Sequence, residues 1–142
     1  VNVHDVMTAD PVVIFSNASL SEALDKMMTA SCHHLPVLST EKHLIGVLSF
    51  HDCERALGYS IVGTVHPLEL SLADRVTVSK AMTPAPIVVE PDETAAYAAQ
   101  LMVNHYIGCL PVMRGETLIG IVTRSDLLTA FIALSQKVGQ YQ

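Results

Sequence analysis

The chain has 142 residues, a net charge of −6 and only eight Lys and Arg with no run among them, which argues against nucleic-acid binding because phosphate contacts need clustered cations. Half of the residues are hydrophobic, yet no apolar run approaches the ~18 residues of a membrane span. No signal-peptide pattern precedes the first strand-like stretch, and Cys32, Cys53 and Cys109 are odd in number without CxxC spacing, so reduced thiols in a cytoplasmic protein are expected.

Along the chain, "PVVIF" after Asp10 is a short β-rich run and is predicted as a strand. Leu20, Ala23, Leu24, Met27 and Met28 then recur at helical spacing, with Ser19 as N-cap and Glu22 completing a capping box. "HLPVL" and "HLIGVLS" read as two strands joined by the polar turn "STEK", and "FHDCERAL" as a second helix. Residues 58–75 contain Gly58, Gly63 and Pro67 and are read as a helix extension plus linker.

The same order then returns. "VTVSKAMTPAPIVV" at residue 76 answers "VNVHDVMTADPVVI" at residue 1, and "CLPVM" at 109 answers "HLPVL" at 34, both 75 residues on. Thr94 is the matching N-cap, and "PIVVE", "TLIGIVT" and "RSDLLTAFIAL" repeat the remaining elements. One residue is lost in the polar turn, so "GIVTRSD" (120–126) follows "GVLSFHD" (46–52) by 74. Each copy is strand–helix–strand–strand–helix. Either alone would be marginal, so the two are expected to pack together.

With "MTxxP", "LPV" and glycine–apolar–apolar–[ST]-x-x-D in both copies, the chain closely resembles a tandem pair of CBS (cystathionine β-synthase) domains from Val1 to about Phe131. The resemblance implies an α+β fold, two βαββα CBS motifs packed by their sheets with pseudo-two-fold symmetry, often called a Bateman module. The boundaries are motif 1 at 1–57, linker at 58–75, motif 2 at 76–134 and a C-terminal tail at 135–142. It further implies a regulatory sensor without catalytic activity or required cofactor. The ligands expected are adenosine-containing (AMP, ADP, ATP or S-adenosylmethionine), held in clefts between the motifs.

The S/T-x-x-D clause has two physical readings. Ser49 with Asp52, and Thr123 with Asp126, can form capping boxes, each carboxylate complementing the positive helix end by ~0.3–1 kcal/mol. A carboxylate at a helix start can also accept hydrogen bonds from both ribose hydroxyls, each worth ~1.5–3 kcal/mol. Carried over by position, the resemblance assigns Ser49, Asp52, Thr83, Ile87, Val88, Ile107, Gly108 and Cys109 to a first cleft, with His34 and His51 at its phosphate end. It assigns Thr8, Val12, Val13, Cys32, His33, Thr123 and Asp126 to a second. Asp52 is the sharper ribose candidate because its cleft carries histidines, where motif 2 has Gly108, Cys109 and Ser125. Polar surface positions are the plainer reading of those histidines.

A ligand-free dimerisation module controlling a partner protein or a further domain is the alternative function. The apolar stretches "LLTAFIAL" (127–134) and "ERALGYSIV" (54–62) point to a homodimer in either case. An enzyme ranks behind both: there is no HExxH, no paired CxxC or other metal-ligand spacing, no phosphate loop and no nucleophile elbow.

Overall fold

The computed structural model describes residues 1–58 and 72–139; most of the linker read at 58–75, the part of the apolar stretch beyond Gly58, and residues 140–142 lie outside them. The elements run α1 (Val3–Val6), β1 (Thr8–Ala9), β2 (Ile14–Phe15), α2 (Leu20–Ala30), β3 (His34–Leu38), β4 (Leu44–Ser49) and α3 (Phe50–Leu57). After the linker come α4 (Val78–Ala81), β5 (Thr83–Pro84), α5 (Ala95–His105), β6 (Cys109–Arg114), β7 (Thr117–Thr123) and α6 (Arg124–Gly139). Residues 72–75 are also helical, and α6 extends through most of the stretch read as a tail.

Two compact units result, and they are not the two sequence repeats. One is continuous, Val12–Pro86; the other joins Val1–Pro11 to Ile87–Gln142. The continuous unit holds a four-stranded sheet in the order β2-β3-β4-β5, and the discontinuous unit a three-stranded sheet in the order β1-β7-β6. Each unit therefore takes its first short helix and strand from the other repeat. Val3 is fully buried in the core with Val89, Ala98, Leu110, Val112 and Val122. Its counterpart 75 residues on, Val78, is fully buried with Ile14, Leu20, Leu35, Val37 and Leu48. Burying one such side chain is worth ~1.5–3 kcal/mol.

The exchanged arms explain the glycine that opens each clause. β5 lies antiparallel on β4 with Pro84 opposite Gly46, and β1 lies on β7 with Ala9 opposite Gly120. A Cβ on Gly46 would stand 2.6 Å from Met82 Sδ and 2.9 Å from the Thr83 carbonyl oxygen. On Gly120 it would stand 2.6 Å from Met7 Sδ and 3.0 Å from the Thr8 carbonyl oxygen. "MT" in one repeat and "G" in the other are two halves of one contact.

Three local expectations are corrected. "PVVIF" and "PIVVE" are not full strands: only Ile14 and Phe15 pair, parallel to Val37 and Leu38, and Val89 makes a single parallel bridge to Val112. The chain leaves β1 and β5 through left-handed Asp10 (φ 48°) and Ala85 (φ 49°), each followed by a proline, so Val12, Val13, Ile87 and Val88 lie in the bend. Met28 is 79% exposed although Leu20, Ala23 and Met27 are buried. At 100° per residue it is rotated about 80° from Leu20, off the packed stripe. Finally, Ser19 accepts the Glu22 N–H at 3.1 Å, but Glu22 remains exposed and returns no bond; a backbone bridge between Ser19 and Thr77 holds this turn instead.

Gly46→Ala and Gly120→Ala should each lower stability by about 1–3 kcal/mol, since backbone as well as methionine must shift. Urea denaturation measures the loss. Wild-type midpoints for both variants would mean that the arm does not press on the glycine.

Candidate functional site

The loop from β4 into α3 closes as a reciprocal cap. Ser49 is extended (φ −96°, ψ 160°); its Oγ accepts the Asp52 N–H at 2.9 Å, and Asp52 Oδ2 accepts the Ser49 N–H at 2.9 Å. The loop from β7 into α6 repeats this: Asp126 Oδ2 accepts the Thr123 N–H at 2.9 Å, and Thr123 Oγ1 accepts the Asp126 N–H at 3.3 Å. The capping reading of S/T-x-x-D thus holds in both copies, and in each it engages one carboxylate oxygen.

The second oxygen separates them. Asp52 Oδ1 forms an ion pair with Arg55, one turn along α3, and the residue is only 5% exposed. Asp126 is half-buried, and its Oδ1 has no hydrogen-bond partner among the described residues. The position matching Arg55 is Thr129, which is exposed and uncharged. The i,i+3 spacing of Asp52 and Arg55 in "DCER" is the sequence signal for this ion pair.

The residues before each "LPV" are joined to the clause of their own unit. The Phe50 N–H donates to the His33 carbonyl at 2.8 Å, and the Arg124 N–H donates to the Gly108 carbonyl at 3.1 Å. In the β3–β4 ladder His34 faces Ser49, and in the β6–β7 ladder Cys109 faces Thr123. The arm threonines approach the same clauses. Thr83 faces Val47, diagonal to Ser49, and Thr8 faces Ile121, diagonal to Thr123; both are exposed.

The continuous unit thus contains Ser49, Asp52, Thr83, His34 and His51 of the first predicted cleft, together with Val12, Val13, Cys32 and His33 of the second. The discontinuous unit contains Ile87, Val88, Ile107, Gly108 and Cys109 of the first, together with Thr8, Thr123 and Asp126 of the second. Val12 and Val88 are 40% and 42% exposed, so each unit presents an apolar side chain to solvent from its bend. His51 is exposed, and the exposed His33 ring leans on Phe50 with centroids 5.8 Å apart.

Burial pushes the Cys53 thiol up to about 12, aided by the neighbouring Asp52 and Glu54 carboxylates, and burial also raises Cys32. Neither is suited to nucleophilic chemistry at neutral pH. Among the described residues no group of three or more His, Cys, Asp or Glu gathers to hold a metal ion, and no helix is long and apolar enough to cross a membrane. A cavity of about 550 Å³ in the discontinuous unit is lined by Asn2, His4, Asp5, Glu90, Asp92 and Arg114 among others, none of them a predicted site residue.

Comparison with known proteins now gives the family. The CBS domain model matches residues 3–59 and 78–133, and the chain belongs to the CBS domain family. It is 30% identical to a CBS domain-containing protein of Dictyostelium discoideum over 96% of this chain and 94% of that one. It is 29% identical to the homoserine O-acetyltransferase of Methanohalophilus mahii, covering 95% of this chain but spanning only a quarter of that enzyme's length. The CBS domain pair of protein MJ0100, in complex with 5′-methylthioadenosine and S-adenosyl-L-methionine, is 25% identical with a TM-score of 0.79 over 94% of this chain and 97% of that one. CBSX2 of Arabidopsis thaliana in complex with AMP is 28% identical with a TM-score of 0.75, covering 94% and 98% of the two chains. The mixed α/β fold is that of a CBS pair.

Asp52→Asn should cost more stability than Asp126→Asn, because it weakens an ion pair between a buried carboxylate and an exposed guanidinium as well as a cap. About 1–3 kcal/mol against about 0.3–1 kcal/mol is expected in denaturant titrations. Equal losses would mean that the Arg55 pair adds nothing to the cap.

Proposed function

We propose that this CBS pair is a regulatory module that binds an adenosine-containing ligand (AMP, ADP, ATP or S-adenosylmethionine) and passes the binding state to a partner protein or a further domain. The observation carrying this reading is the Asp126 carboxylate. Its cap spends Oδ2 and leaves Oδ1 free among the described residues, at the start of a long helix capped by Thr123, with exposed Thr8 diagonal to Thr123 in the ladder. An acceptor of that kind suits the paired hydroxyls of a ribose. Relatives crystallised with AMP and with S-adenosylmethionine support the ligand class. In the continuous unit the corresponding set is Ser49, Asp52 and Thr83, with His34 and His51 for a phosphate.

Asp126→Asn keeps the shape and removes the charge. If Asp126 holds the ribose, AMP or S-adenosylmethionine affinity should fall by ~1.5–3 kcal/mol, roughly ten- to a hundredfold or more. Calorimetry on folded wild type and variant decides it. Wild-type affinity in the variant would leave the clause as architecture alone.

A dimerisation module is the second reading, favoured by α6. None of its described residues is buried, and Leu128, Phe131, Ile132 and Val138 are 54–65% exposed. The first three recur at i, i+3 and i+4, forming one apolar stripe. Light scattering at micromolar concentration should give a dimer mass that Phe131→Asp reduces toward the monomer. A monomeric wild type would remove the dimer from both readings.

A further inference from the structure

The two clauses are written alike but are not equally open. In motif 1 each oxygen of the carboxylate already has a partner: Oδ2 accepts the Ser49 N–H and Oδ1 pairs with Arg55. In motif 2 the cap is the same, the residue at Arg55's position is Thr129, and Oδ1 is free among the described residues. We infer that Arg55 is an intramolecular mask on Asp52, so that each chain takes its adenosine ligand through Asp126 alone. The inference rests on the ligand-binding reading above and adds to it a stoichiometry and the residue that sets it.

The physical case is one of competition for a single oxygen. A ribose hydroxyl is a neutral donor, whereas the guanidinium is a fixed cation on the same helix that reaches Asp52 without any loss of translational freedom. A sugar hydroxyl must share Oδ1 with an ionic partner already in place or displace it, trading an ionic contact for a neutral one. At 5% exposure, water cannot make up the difference, and a buried carboxylate stripped of its cation is costly. Asp126 faces neither obstacle. It needs no partner displaced, and its half-exposed position leaves an approach. Arg55 itself is 63% exposed along its side chain, so removing it takes away the mask without opening a hole in the core.

The test is a rescue. The intact chain is titrated by calorimetry with AMP and, separately, with S-adenosylmethionine; their charges differ in sign, so a gain with both cannot be an effect of net charge. Wild type should bind about one molecule per chain, and Asp126→Asn should lose that event by at least about tenfold. Arg55→Ala should bind about two, and Arg55→Ala combined with Asp126→Asn should recover about one, now held by Asp52. Arg55→Gln, which keeps the stem and a neutral donor, carries the same expectation should the alanine variant melt early. Two equivalent sites in wild type would overturn the inference while leaving the ligand reading intact. A double variant no better than Asp126→Asn alone would also overturn it. No binding of either probe to wild type would overturn the ligand reading and the inference together.

Discussion

The close approach of a methionine–threonine backbone to a glycine, made twice, is the contact on which the architecture turns. It lets each arm lie flat on the strand leading into the clause, and it places a threonine hydroxyl diagonal to the cap residue. The same arm delivers Val3 or Val78 into a core that the other repeat otherwise builds. With a side chain at Gly46 or Gly120 the arm could not close down, and the pairing, the buried valine and the threonine's position would shift together.

Much of this was legible in the sequence, and the limits have physical causes. The repeat, the ladders of "LPV" with the clause strands, and the caps at Ser49 and Thr123 depend on local pattern and spacing, which a chain displays openly. The arm exchange depends on Thr8 meeting Ile121 and Thr83 meeting Val47, contacts between residues far apart in the chain that no periodicity encodes. The clause glycine was visible as a repeated letter, but its reason lay in the partner that passes over it. The valines after Pro11 and Pro86 have the β-propensity of strands without forming full ones, because propensity reports the side chain. The left-handed residues before those prolines decide where the backbone goes.

The site follows the same division. Sequence alone offers both Asp52 and Asp126, with Asp52 favoured for its neighbouring histidines. Geometry weighs them by a different quantity, the number of carboxylate oxygens left after the fold has used what it needs. A cap and a ligand contact are not rival explanations of one residue, since a carboxylate has two oxygens and the cap takes one. What distinguishes the copies is a cation one turn further along, at a position outside the repeated clause.

The exchange of arms also bears on how such a chain assembles. Two separate copies of one motif would have to trade arms as a swapped dimer, and that trade would depend on concentration. Joining the copies in one polypeptide turns the encounter into an intramolecular one at a high effective concentration, fixed by the connector whatever the abundance of the protein. The tether has a second effect. Once the halves are no longer identical molecules, one clause can acquire an arginine and the other a threonine, and a device symmetric in outline can answer a ligand asymmetrically.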